Sequence, residues 1–151
     1  MQLVGKNGLS RLIAIALIVL MSAIGVLLIT LPWSITWITE RPHHDPYYWR
    51  YLIILSVSGV MAEFIFWQAY GIMRNVNRNR VFSADTVRRM RVMAIEVVVL
   101  AVFYLSTMFW MSKFFMALLF VVFVLAGGSL LVFAELFRQA IKYKEENDKT
   151  V

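Results

Sequence analysis

Apolar residues along the chain gather into four long windows, and charged or strongly polar segments end each of them. The windows run from about Leu12 to Trp33, Tyr51 to Met73, Met93 to Met111 and Phe114 to Phe137. A helix needs about 20 mostly apolar residues to cross a hydrocarbon layer of about 30 Å. The pattern therefore predicts an all-α, integral membrane four-transmembrane-helix bundle forming one domain over 1–151. The first window follows Lys6 and Arg11, as a signal peptide would. Its apolar stretch exceeds the roughly 7–15 residues of a signal core, and no small-x-small cleavage site follows Leu31-Pro32-Trp33, so a retained helix is expected.

Composition agrees with the pattern. Of 151 residues, 61% are hydrophobic and 16% charged, where a soluble domain carries about a quarter charged. The absence of cysteine removes disulfides, redox thiols, thiolate zinc sites and iron–sulfur ligation. The length leaves no room for an appended enzyme domain of ordinary size.

The net charge of +6 matters less than its placement. Twelve of the 15 basic residues (Lys6, Arg11, Arg74, Arg78, Arg80, Arg88, Arg89, Arg91, Arg138, Lys142, Lys144 and Lys149) fall on one side of the four windows. Arg41, Arg50 and Lys113 fall on the other. Basic residues resist translocation, so both termini, the 74–92 loop and the 138–151 tail are expected in the cytoplasm. The outer segment Ser34 to Arg50 carries Trp37, Tyr47, Tyr48 and Trp49, rings that favour headgroups, and reads as a loop on the membrane surface. Only Ser112 and Lys113 are expected between the last two helices. In the basic loop, Ser83 followed by Asp85 gives a helix start with an acidic first turn.

Three carboxylates lie within or at the ends of the windows, where a charge costs at least about 2.5–3.5 kcal/mol at the helix centre. Glu63 falls near the midplane, on one helical face with Ser56, Gly59 and Tyr70, a stripe suited to close helix packing. It reads either as a protonatable coupling site or as a neutral carboxyl hydrogen-bonded to a neighbouring helix. Glu96 and Glu135 are expected at similar depth on adjacent antiparallel helices, as a salt-bridge layer or a vestibule for a cation, with Arg138 paired to Glu135. His43, His44 and Asp45, after Glu40, are the only clustered metal-ligand types, but adjacent histidines in a loop diverge. No catalytic triad, phosphate loop or zinc-protease string is present, so no catalytic residue and no cofactor are expected.

The basic loop, with Arg80, Ser83, Arg88, Arg89 and Arg91, suits anionic lipid headgroups at about 1 kcal/mol per basic residue. It equally suits a cytosolic protein. Direct nucleic-acid binding is not expected beside an anionic membrane. In the tail, Glu145, Glu146 and Asp148 are expected to fold back on the arginines, with Thr150 and Val151 docked between helix ends.

Two stretches carry a resemblance. Arg80-Val81-Phe82-Ser83-Ala84-Asp85-Thr86-Val87-Arg88-Arg89-Met90-Arg91 resembles an N-x-x-F-S-x-x-N-x-x-R-L-R loop. Lys144-Glu145-Glu146-Asn147-Asp148-Lys149-Thr150-Val151 resembles a K-E-E-N-D-L-T-I ending. Both are features of the bacterial domain of unknown function 2975 family, the YoaS-like small four-helix membrane proteins. Lys149 departs from the apolar residue usual there, which puts in doubt any packing of that position into a core. The resemblance implies a membrane-embedded regulatory or sensory partner of a small cytosolic helix-turn-helix, DNA-binding regulator, and offers no catalytic residues. A proton-coupled transporter or exporter using Glu63, as a homodimer, and a peptide-toxin immunity protein using Trp37, Tyr47 and Trp49 are the alternatives.

Overall fold

A computed structural model describes residues 8–150; Lys6 and Val151, named above, lie outside the described residues. Four helices follow one another: α1 Leu9–Thr39, α2 Pro46–Asn77, α3 Ala84–Thr107 and α4 Lys113–Lys149. All four are long and apolar enough to cross a membrane, the signature of a multi-pass membrane protein.

The Ser34–Arg50 segment is mostly helix rather than a surface loop. α1 continues through Pro32 to Thr39, and α2 starts at Pro46. The hydroxyls of Ser34, Thr36 and Thr39 donate to carbonyls four residues back at 3.0, 3.1 and 2.6 Å, so these polar residues stay within the helix. Pro46 stands at the start of α2, where its missing N–H is no loss. Asp45 caps that helix by accepting from the Tyr47 N–H at 2.8 Å, and Arg41 pairs with it at 2.7 Å. The Tyr47 amide first, then Arg41, hold the Asp45 carboxyl below the usual carboxylate range. Only residues 40–45 remain as the connection.

The α3–α4 connection is longer than expected, spanning Met108 to Ser112. Ser106 and Thr107 bond back to the carbonyls of Phe103 and Tyr104 at 2.6 and 2.8 Å. Arg50 of α2 donates to the Trp110 carbonyl at 3.0 Å, which satisfies a group the turn leaves open.

Each helix packs antiparallel against its neighbours in the chain. Among the described residues α1 meets α2 only, and α4 meets α3 only, so the bundle is open. The α1–α2 register is set at both ends, by Ser10 Oγ donating to Asn77 Oδ1 at 2.7 Å and by Tyr48 Oη donating to the Pro32 carbonyl at 3.2 Å. α3 sits between α2 and α4 and contributes the largest share of the core: Val87, Ala94, Val97, Leu100, Ala101 and Tyr104 are buried. Tyr104 donates to Ser58 of α2 at 2.8 Å and lays its ring against Phe123 of α4 at 5.5 Å between centroids. At Gly127 a Cβ would come within 2.7 Å of Val98 Cγ2 and 3.4 Å of the Ala94 carbonyl oxygen, so the absent side chain lets α3 and α4 approach. The outward faces are strongly apolar, with Leu12, Ile15, Val19, Leu27 and Ile29 of α1 all exposed. In a bilayer that surface meets hydrocarbon.

Candidate functional site

The polar residues concentrate where the C-terminal end of α2 meets the start of α3. Ser83 caps α3, its Oγ accepting from the Thr86 N–H at 3.3 Å. Phe82, just before the cap, stacks on Phe137 of α4 at 5.5 Å and fixes the entry of the chain. Thr86 is fully buried and lies 3.0 Å from Ser83 Oγ. Asn75 of α2 reaches across, its Nδ2 donating to Asp85 Oδ2 at 2.7 Å and Thr86 Oγ1 at 3.1 Å.

Arg89 extends this junction toward the membrane. Its Nε donates to Asp85 Oδ2 at 2.9 Å and its Nη1 to Gln68 Oε1 at 3.3 Å. The guanidinium lies across Gly71, where even a methyl group would collide with it. Gln68 stands near the Glu96 carboxyl, whose Oε2 is buried with no hydrogen-bond partner among the described residues. A hydrogen-bonded chain therefore runs Asn75, Asp85, Arg89, Gln68 along the α2–α3 seam, with Glu96 beyond its end. The Asn75 amide first, then Arg89, hold Asp85 below its ordinary carboxylate value.

The three arginines of the 88–91 run have separate places. Arg89 is the latch just described. Arg91 faces α4, 3.6 Å from Glu135. Arg88 is exposed. Glu135 also accepts from Arg138 at 2.6 Å. Glu96 and Glu135 do not share a depth, because Gly127 packs beside Ala94 and Val98. Glu135 is eight residues further along α4, about 12 Å at 1.5 Å per residue, level with Arg91.

Glu63 is half-buried on the α1 side of α2, and a Cβ at Gly25 of α1 would stand 3.8 Å from its Oε1. Gly59 faces Leu28 on the same seam. Among the described residues Glu63 has no hydrogen-bond or ion-pair partner. His43 packs edge-on against Tyr48 at 4.6 Å and Asp45 is taken by Arg41 and the α2 cap, leaving His44 beside them. No group of three candidate metal ligands converges among the described residues.

The tail does not fold back. α4 continues as helix to Lys149, with Glu145, Glu146, Asn147 and Asp148 exposed, and Glu146 lies 3.9 Å from Lys142 on the same helix. Good helix formers and this i,i+4 spacing favour extension over a turn back toward the arginines.

A cavity of about 370 Å³ opens beside the Asn75–Asp85–Arg89 junction. Arg74, Arg78 and Arg80 line it with Arg89, and Trp67 and Tyr70 form its inner wall. Arg74 and Arg78 counted only toward topology in the sequence, and Gln68, Gly71 and Asn75 attracted no attention there. Their shared signal is polar or small residues at 68, 71 and 75, spacings of three and four on one face.

The architecture is thus that of a multi-pass helical membrane protein with a basic cavity at one end of the α2–α3 seam. The chain belongs to the family described as Protein of unknown function (DUF2975), which matches residues 35–151. No curated protein and no solved structure matches it.

Proposed function

We propose that this is a non-enzymatic protein of a bacterial plasma membrane, with the basic end and both termini in the cytoplasm. It presents the start of α3 and the extension of α4 to a soluble helix-turn-helix regulator. The observation that carries this reading is the α4 extension. It runs twelve residues past Phe137, about 18 Å of helix, and residues 142–150 are exposed throughout. Such a rod of Lys and Glu has no packing partner among the described residues. With exposed Arg88 it offers a two-element contact surface. The orientation rests on the distribution of basic residues, twelve on this side against three on the other.

The test is in-cell crosslinking and affinity purification of the tagged protein. Wild type is compared with a chain ending at Tyr143 that also carries Arg88→Gln. Recovery of a helix-turn-helix protein with wild type and its loss from the variant is expected. Equal recovery from both, or none from wild type, removes the reading.

A second reading, proton-coupled transport, is favoured by Glu63, a half-buried carboxyl without a polar partner among the described residues. Because the bundle is open, a pathway there needs a second copy of the chain to close it. Loss of flux in Glu63→Gln with an intact fold supports this reading, and unchanged flux removes it.

A further inference from the structure

The cavity beside the α2–α3 junction has a chemistry that neither the latch nor the partner surface uses. Four arginines and one carboxylate line it. The carboxylate, Asp85, is already engaged by Arg89 at 2.9 Å and Asn75 at 2.7 Å. The guanidinium groups of Arg74, Arg78 and Arg80 have no ion pair among the described residues. Three like charges held around one cavity repel one another, and an anion among them relieves that repulsion. The positive end of α3, opening at Ser83 on the cavity wall, adds to the same potential.

The wall is graded. Arg78 and Arg80 stand at the outer rim, Arg74 and Tyr70 deeper, and Trp67 deepest along α2. Trp67 lies seven residues from Arg74, about 10 Å along the helix, and is 58% exposed on the apolar face. A soluble phosphate would use only the arginines. A phospholipid uses both parts, with its phosphate among the guanidinium groups and an acyl chain passing Trp67 into the hydrocarbon layer. Basic pockets between membrane helices take anionic headgroups in this manner.

We propose that Arg74, Arg78 and Arg80 form a binding site for the phosphate of an anionic phospholipid, with Trp67 and Tyr70 as the wall for its glycerol and chain. Arg89 shapes the floor from its seat over Gly71 and is committed to Asp85 and Gln68. This assignment does not depend on the regulator, since the residues differ from those of the α4 extension.

Native mass spectrometry of the full chain released from phosphatidylcholine nanodiscs containing phosphatidylglycerol reads the bound lipid directly. The comparison is among wild type, Arg74→Gln/Arg78→Gln/Arg80→Gln, and Arg138→Gln/Lys142→Gln/Lys144→Gln, which removes equal charge from the same end. Wild type is expected to retain phosphatidylglycerol over phosphatidylcholine. At about fivefold per basic residue, the cavity variant loses affinity by about a hundredfold, and the α4 variant changes little. Equal loss in both variants means diffuse surface charge and overturns the site. Equal retention of phosphatidylcholine overturns the preference for an anionic headgroup. Displacement of the lipid by added glycerol phosphate reassigns the cavity to a soluble phosphate and overturns the lipid assignment. Arg78→Glu alone, an exposed position, must show the same direction, and retention of phosphatidylglycerol in that variant counts against the site.

Discussion

Gly71→Ala should destabilise the protein in one background and stabilise it in another, and the sign reversal isolates the Arg89 latch. The added methyl would meet Arg89 Cζ at 2.5 Å and Nε at 2.7 Å, so the guanidinium must leave its seat. It then loses the bond to Gln68, and the bond to Asp85 is strained. A hydrogen bond from a charged group is worth about 1.5–3 kcal/mol, while replacing glycine by alanine within a helix returns about 0.5–1 kcal/mol. The net expectation is a loss of about 1–2 kcal/mol. In an Arg89→Ala background the atoms nearest a Cβ at residue 71 are removed, and Gly71→Ala should stabilise by about 0.5–1 kcal/mol. The two substitutions are then coupled by about 2 kcal/mol, well beyond the few tenths expected of independent sites. Reversible unfolding in mixed detergent micelles, followed by tryptophan fluorescence and helical circular dichroism, measures all four corners of the cycle. Additivity, with Gly71→Ala having the same effect in both backgrounds, would refute the latch.

The neighbouring glycines of α4 make an internal contrast: Gly127→Ala meets Val98 and the Ala94 carbonyl and should cost about 1–3 kcal/mol, whereas nothing stands within 4 Å of a Cβ at Gly128, so Gly128→Ala should gain about 0.5–1 kcal/mol. The same unfolding assay separates them. For Asp85, the folded pKa lies below its ordinary value of 3.8. Its contribution is therefore complete above that value and lost as pH falls through the lower folded one. Wild type should be less stable at low pH than near neutrality, and Asp85→Asn should flatten that slope; an unchanged slope would assign it to other carboxylates. Ending the chain after Tyr143 should leave the unfolding midpoint unaltered, since residues 144–150 are exposed; a large drop would show packing that the extended α4 lacks.

Much of this architecture is legible in the sequence because lipid imposes a single length and polarity on every crossing segment. The four apolar windows, the cap at Ser83 and the pairing of Glu135 with Arg138 each depend on residues close together in the chain. What escaped depends on distant partners or on backbone accommodation. The first window ends near Trp33 and the segment after it reads as a loop, yet α1 runs on to Thr39, with Ser34, Thr36 and Thr39 bonding back to its carbonyls. Arg88, Arg89 and Arg91 read as one basic patch, and only Gly71, Gln68 and Glu135 on neighbouring helices divide them into an exposed charge, a latch and a salt bridge. The cavity escaped for the same reason. Its arginines belong to three local contexts that the turn after Asn77 brings together.

The functional account stands on the basic end lying in the cytoplasm, because both the regulator and the charge asymmetry require it. The chain contains no cysteine, so single cysteines can be placed at will in an otherwise natural background. Arg88→Cys and Lys144→Cys on one end and His44→Cys on the other are exposed positions suited to a membrane-impermeant maleimide. In intact cells only the His44→Cys protein should be labelled, with the other two reacting after the membrane is opened. Labelling of the Arg88 and Lys144 positions in intact cells, with His44→Cys protected, would place the basic end outside and contradict the account.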